Sequence, residues 1–258
     1  MPTDWYGALH EDVVPFLRSA DVIFLCDTWF YELRYAGGIV VDLHLYADAA
    51  AVHSVLLPLM RERFWRKPLT DVEGPDLLRG RHRYHVSRWA EASHVTNPVL
   101  GHYHESTQLL CARRHHRKPG YLACLSELRY ALERLRTGTC DAGEAIRRGY
   151  QAWLTQQLGA RYTLDRTDER RTQERELTTF LLSQTEAPTL QVPPEVPDTW
   201  IAATQAVADE GLAALCTALG GHIARYGLDP FDVGRLWAQL AEWVPPTGDL
   251  ATRRSATA

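Results

Sequence analysis

Lysine is nearly missing from this chain. Of its 258 residues 28 are Lys or Arg, and only Lys67 and Lys118 are lysine, so arginine carries almost all of the positive charge. Arginine binds carboxylates and phosphates through a planar fork. A bias this broad is also what a GC-rich genome produces, so the count alone assigns no site. Cysteine is sparse as well. Cys26, Cys111, Cys124, Cys140 and Cys216 are widely spaced, with no Cys-x-x-Cys pair, which excludes a disulfide framework and a structural zinc knuckle. No charged segment followed by an apolar one opens the chain, and there is no run of about 18 apolar residues, so neither a signal peptide nor a membrane span is expected. The formal charge of −4 sets up no global field that would draw nucleic acid or an anionic membrane. The expected setting is the bacterial cytoplasm and the expected partner a small-molecule substrate, with oligomerisation left open.

Hydrophobic residues make up 45% of the chain, enough for a real core. The pattern predicts a mainly α fold, a helical body with a small two-stranded β element near the N-terminus. Leu9, Val13, Phe16 and Leu17 have helical spacing. The run from Asp21 to Cys26 reads as a short buried strand, Trp29 to Tyr31 as a turn of helix, and Gly37-Gly38 as a break. The run Ile-Val-Val-Asp-Leu-His-Leu-Tyr over 39–46 is the clearest strand. Helices are predicted over 49–65 with a break at Pro58, then over 82–94, 98–117, 120–137 and 141–158, the last capped by Asp141. A charged helix follows around 165–176, then a Pro-rich crossover at 183–197, and two further helices over 198–219 and 230–243. The expected organisation is a small α/β element at 1–66, a helical body at 67–245 and a disordered tail at 246–258.

Seven of the eleven histidines lie between His82 and His116. Imidazole exchanges protons near neutral pH and binds borderline metals, so this concentration raises the prior for a site. Glu91 and His94 are three residues apart near the end of one predicted helix, and His102 and Glu105 near the start of the next. A tight turn at Asn97-Pro98 would bring the two pairs together as ligands for iron, manganese or zinc. Without a metal, the same segment offers His102 or His104 as the proton-transfer group, oriented by Glu105, beside Tyr103. Arg88 and Arg113 are candidates to hold a substrate carboxylate or phosphate. A further pair lies on the 39–46 strand, where alternation puts Asp42 and His44 on one face and Val41, Leu43 and Leu45 on the other.

A resemblance starts from that strand. The order helix, strand, Gly37-Gly38, then Val-Val-Asp-Leu-His-Leu, then a largely helical remainder resembles the second half of a polymerase-β-type nucleotidyltransferase. The resemblance implies Asp42 as the third magnesium carboxylate, with a nucleotide bound nearby. The Gly-Ser turn and Asp-x-Asp strand that carry the other two carboxylates in that family do not occur in this sequence. The leading functional expectation is an enzyme acting on a small organic molecule, with secondary metabolism as one setting, through a His/Glu acid-base or His/carboxylate metal site. The alternatives are a nucleotidyltransferase-like nucleotide-binding protein with magnesium and a noncatalytic interaction protein.

Overall fold

The computed structural model describes residues 5–35, 39–64, 76–79, 82–88, 97–112, 120–135, 141–158, 167–183 and 196–243. The fold is mainly helical with strands near the N-terminus. The chain divides into two compact units, Met1–Lys118 and Pro119–Ala258. The boundary expected near residue 66 therefore falls inside the first unit, and the Pro-rich segment and tail lie largely outside the described residues.

The first unit opens with α1 (Trp5–Ala8), a π-helical turn (Leu9–Val13) and α2 (Val14–Leu17), which bury Leu9, Val13, Phe16 and Leu17. The next run corrects the sequence reading, because residues 20–25 form helix α3 (Ala20–Leu25) and the strand β1 starts only afterwards, at Cys26–Tyr35. Ser19 is extended at the N-cap and Asp21 sits in the first turn, which favours a helix start. Of the apolar residues in that run Val22 is buried while Ile23 and Phe24 stay exposed, so the burial on both faces that a core strand needs is missing. Trp29-Phe30-Tyr31, expected as helix, belongs to β1, where aromatic rings suit a pleated surface.

Strand β2 (Ile39–Ala47) pairs antiparallel with β1 in a register that sets Thr28 opposite Tyr46, Phe30 opposite His44 and Glu32 opposite Asp42, with a bulge between Cys26 and Thr28. This is the two-stranded element expected from sequence. It is enlarged by β3 (Asp76–Arg79) and β4 (His82–Arg88) into a sheet of order β1-β2-β4-β3, β4 running parallel to β2 and β3 antiparallel to β4. The helix predicted over 82–94 is thus a strand over 82–88, and the remainder of that prediction, with Glu91 and His94, lies outside the described residues. Tyr84 and Val86 alternate with Arg83, His85 and Ser87, a period of two.

After β2, Asp48 caps α4 (Ala49–Ala51), its Oδ1 accepting the Ala50 N–H at 2.8 Å. A π-helical turn (Val52–Leu56) then leads into α5 (Leu57–Phe64). Pro58 has no N–H to donate to the preceding turn, and the expected break takes the form of that π turn. Helix α6 (Pro98–Ala112) begins with proline at its first position and Asn97 Oδ1 accepting the Val99 N–H at 3.1 Å.

The second unit is helical throughout its described residues: α7 (Tyr121–Glu133), α8 (Ala142–Leu158), α9 (Thr167–Ser183), α10 (Asp198–Asp209), α11 (Leu212–Arg225) and α12 (Pro230–Trp243). Asp141 caps α8 as expected, accepting the Glu144 N–H at 3.1 Å. The single helix predicted over 198–219 is divided at Gly211, whose φ of +111° lies where other residues are strained. Helices α8 and α12 approach closely through two reciprocal contacts. A Cβ on Gly149 would lie 2.3 Å from the Trp237 indole, and a Cβ on Gly234 would lie 2.3 Å from the Trp153 indole. Each glycine makes room for the other helix's tryptophan. No helix among the described residues is long and apolar enough to cross a membrane.

Candidate active site

In the first unit, β2 lies between β1 and β4, and its alternation sorts the chemistry. Val41, Leu43 and Leu45 join the core with Trp29 and Tyr31. Asp42, His44 and Tyr46 take the opposite face with Thr28, Phe30 and Glu32 of β1. Asp42, His44 and Tyr46 are buried, whereas the Glu32 side chain is 42% exposed. The His44 Nε2 stands 3.5 Å from Glu32 Oε2. Its ring stacks on Phe30 with centroids 4.5 Å apart and planes 15° from parallel. Phe30 in turn receives the edge of Tyr103 from α6 at 5.3 Å. The Tyr46 hydroxyl is pushed above its ordinary range, first by burial and then by the Glu32 carboxylate. The face thus holds a carboxylate open to solvent, an imidazole behind it and aromatic walls. Such a couple can take a proton from a bound molecule through His44 while Glu32 holds the ring.

The histidines favoured by sequence have other partners. His102 is fully buried on α6, its Nδ1 3.5 Å from Ser106 Oγ, so no solvent-borne molecule reaches it in this structure. His104 serves the edge of the sheet. Its Nδ1 lies 2.8 Å from the Trp29 carbonyl oxygen and 3.2 Å from the Trp29 nitrogen, and its Nε2 lies 3.3 Å from Gln108 Nε2. The shorter contact assigns the proton to Nδ1, which donates to the carbonyl and leaves Nε2 to accept from Gln108. Both ring nitrogens are then used, and the β1 edge is covered at Trp29. Glu105 and Tyr103 are half-buried on the same helix.

Glu91, His94 and Arg113 lie outside the described residues. Arg88 ends β4, its backbone paired with Leu45, and its side chain lies outside the description. Among the described residues no group of three or more His, Cys, Asp or Glu is placed to hold a metal ion. A thiol nucleophile is not offered by Cys111, whose pKa burial pushes up to about 12 against the lowering effect of Arg18.

Sequence reasoning missed Glu32 and Phe30. The signal was available, since a hairpin centred on Gly37 pairs 32 with 42 and 30 with 44, but it required β1 to be placed correctly.

The second unit contains another His–Glu pair that the sequence did not reveal. Glu127 on α7 and His222 on α11 are both fully buried, Nε2 lying 3.3 Å from Oε2, and the Tyr226 hydroxyl donates to the same oxygen. The His222 ring packs at 4.8 Å from Trp200 of α10 and at 5.3 Å from Tyr226. A separate groove of about 310 Å³ lies between α8 and α9, beside Tyr150, Glu174, Arg175 and Thr178. The Tyr150 hydroxyl is 2.7 Å from Thr178 Oγ1 there, and the lining contains no histidine.

Comparison with known proteins gives no match, whether with family models, curated proteins or solved structures.

Proposed function

We propose that the chain is an enzyme acting on a small organic molecule, with His44 as the proton-transfer group and Glu32 as the carboxylate that orients it. One observation carries this reading: the imidazole of His44, sheltered on the polar face of the sheet, faces a carboxylate that remains open to solvent at 3.5 Å. A distance slightly beyond hydrogen-bond length is ordinary for an acid-base couple before its substrate closes the site. Asp42 supplies a second carboxylate on the same face, and Tyr103 supplies a half-buried aromatic wall. The His/Glu chemistry expected on α6 is kept in kind and moved to the strands, because His102 is sealed and His104 is bonded to the β1 backbone.

The test needs no prior substrate. Wild-type protein, His44→Gln and Glu32→Gln would be incubated with a soluble metabolite extract and the mixtures compared by mass spectrometry. Wild type should consume at least one metabolite, and His44→Gln should slow that change about 100-fold or more while remaining folded. Equal consumption by wild type and His44→Gln would sink the assignment, and inert wild type would favour the noncatalytic reading.

A nucleotidyltransferase-like reading draws on a different observation. The sheet register sets residues 32, 42, 85 and 76 in one row, so Glu32, Asp42, His85 and Asp76 occupy equivalent positions on four strands. Within that row Glu32 and Asp42 are carboxylates on adjacent strands, the ligand type that suits magnesium, which supplies charge neutralisation to a phosphate when bound. The first strand of that resemblance, expected at 21–26, is supplied by β1 instead, which precedes Gly37-Gly38 and β2. Magnesium with ATP should then raise the melting temperature of wild type and leave Asp42→Asn unshifted; no shift in wild type would remove this reading.

A further inference from the structure

Resting on the assignment of His44 and Glu32 as the acid-base couple, we propose that Phe30 is the positioning residue of the site, fixing the plane of the His44 ring so that Nε2 faces Glu32. An imidazole on a strand turns about its terminal torsion through broad, shallow wells, so a nearby carboxylate alone does not hold its plane. Phe30 supplies that restraint, sitting opposite His44 in the register with ring planes 15° apart at 4.5 Å. Phe30 is itself held. It is 2% exposed, the Tyr103 ring meets it edge-on at 69°, and Tyr46 lies against it at 6.0 Å. The preceding residue is pinned as well, because His104 takes the Trp29 carbonyl at 2.8 Å. Helix α6 therefore delivers two consecutive side chains, Tyr103 and His104, to two consecutive residues of β1.

The division of labour is specific. Phe30 sets the plane in which the His44 ring lies, and Glu32 selects the edge that carries the proton. With both in place, Nε2 bears a proton in the neutral ring as well as in the charged one. Neither residue touches the reacting atoms on behalf of the other.

Nitrogen-15 NMR of the histidine rings reads this directly in the full-length protein. Wild type should show His44 as a single form protonated on Nε2. Phe30→Leu should replace that signal by a mixture of the two tautomers, Phe30→Tyr should restore it, and the His104 pattern should stay unchanged in both. A melting temperature alone would not separate this role from simple packing; the tautomer does. If Phe30→Leu does not fold, Tyr103→Leu, which loosens Phe30 from outside the sheet, should give a weaker mixture of the same kind. An unaltered His44 signal in the folded Phe30 or Tyr103 variant, with Glu32→Gln altering it, would overturn the positioning role and leave the acid-base couple standing. No response to Glu32→Gln either would remove the couple itself.

Discussion

Each unit of this chain pairs a histidine with a glutamate, and the two pairs differ in access. In the first unit His44 and Glu32 face each other across adjacent strands, with side-chain exposures of 9% and 42%. In the second, His222 and Glu127 are both at 0%, and Tyr226 donates a hydrogen bond to the carboxylate. The chemistry is the same and the consequence is opposite. Sealing an ionisable pair away from water costs several kcal/mol per ion and is tolerated only with close partners, so the buried pair joins α7 to α11 and is unavailable to a substrate. The pair with one end in water costs little to keep and can meet a ligand. A His–Glu contact therefore says nothing about function until the exposure of each end is known.

Variants that break the comparison should differ most in the second unit. His222→Ala leaves Glu127 buried without its imidazole partner and removes the ring packed on Trp200, and should cost about 3–5 kcal/mol in urea unfolding. A cost below about 1 kcal/mol would mean that the sealed pair is not holding the helices. Gly149→Ala or Gly234→Ala drives a methyl group into an indole and should cost about 1–3 kcal/mol, each measured by the same unfolding curves. Because the two contacts lie on one helix pair, the double variant is expected to depart from additivity.

Smaller effects belong to the first unit. His104→Ala removes the imidazole from the Trp29 carbonyl and should cost about 1 kcal/mol, without the large loss expected at His222. The smallest change sharpens the comparison by pH. Because the folded pKa of Tyr46 is raised, its neutral form contributes stability that is present below about pH 10 and is lost as the pH rises through the folded value. Glu32→Gln removes the second cause of that shift and should bring the Tyr46 ionisation downward in an ultraviolet titration. Tyr150 is raised by burial and by Glu174, against the hydrogen bond to Thr178, so its titration should not move. Equal movement of both would show that Glu32 is not acting locally.

Much of the helical architecture was legible. The helix over 230–243, the α8 boundary with its Asp141 cap, and the strand over 39–46 follow from periodicity and capping chemistry alone. The failures share a cause. The apolar run at 22–25 suggests a strand by composition but not by which residues would be buried, and the helix expected over 82–94 overlooks the alternation of Tyr84 and Val86 with their polar neighbours. Displacing β1 by a few residues hid Glu32, since only the register brings it opposite Asp42. The Glu127–His222 pair depends on two helices about ninety residues apart in sequence, and no local pattern announces it. The cluster of histidines drew attention to α6, where His102 is core and His104 covers a strand edge.

The most direct test of the contrast is one series of urea unfolding curves on wild type, Glu32→Ala and Glu127→Ala, measured side by side at neutral pH. Glu127→Ala should lose about 3–5 kcal/mol because it strands a buried imidazole, and Glu32→Ala should lose less than about 1 kcal/mol because its carboxylate is open to water. Equal losses, or a larger loss at Glu32, would contradict the division between a pair that holds the fold and a pair free to act on a ligand.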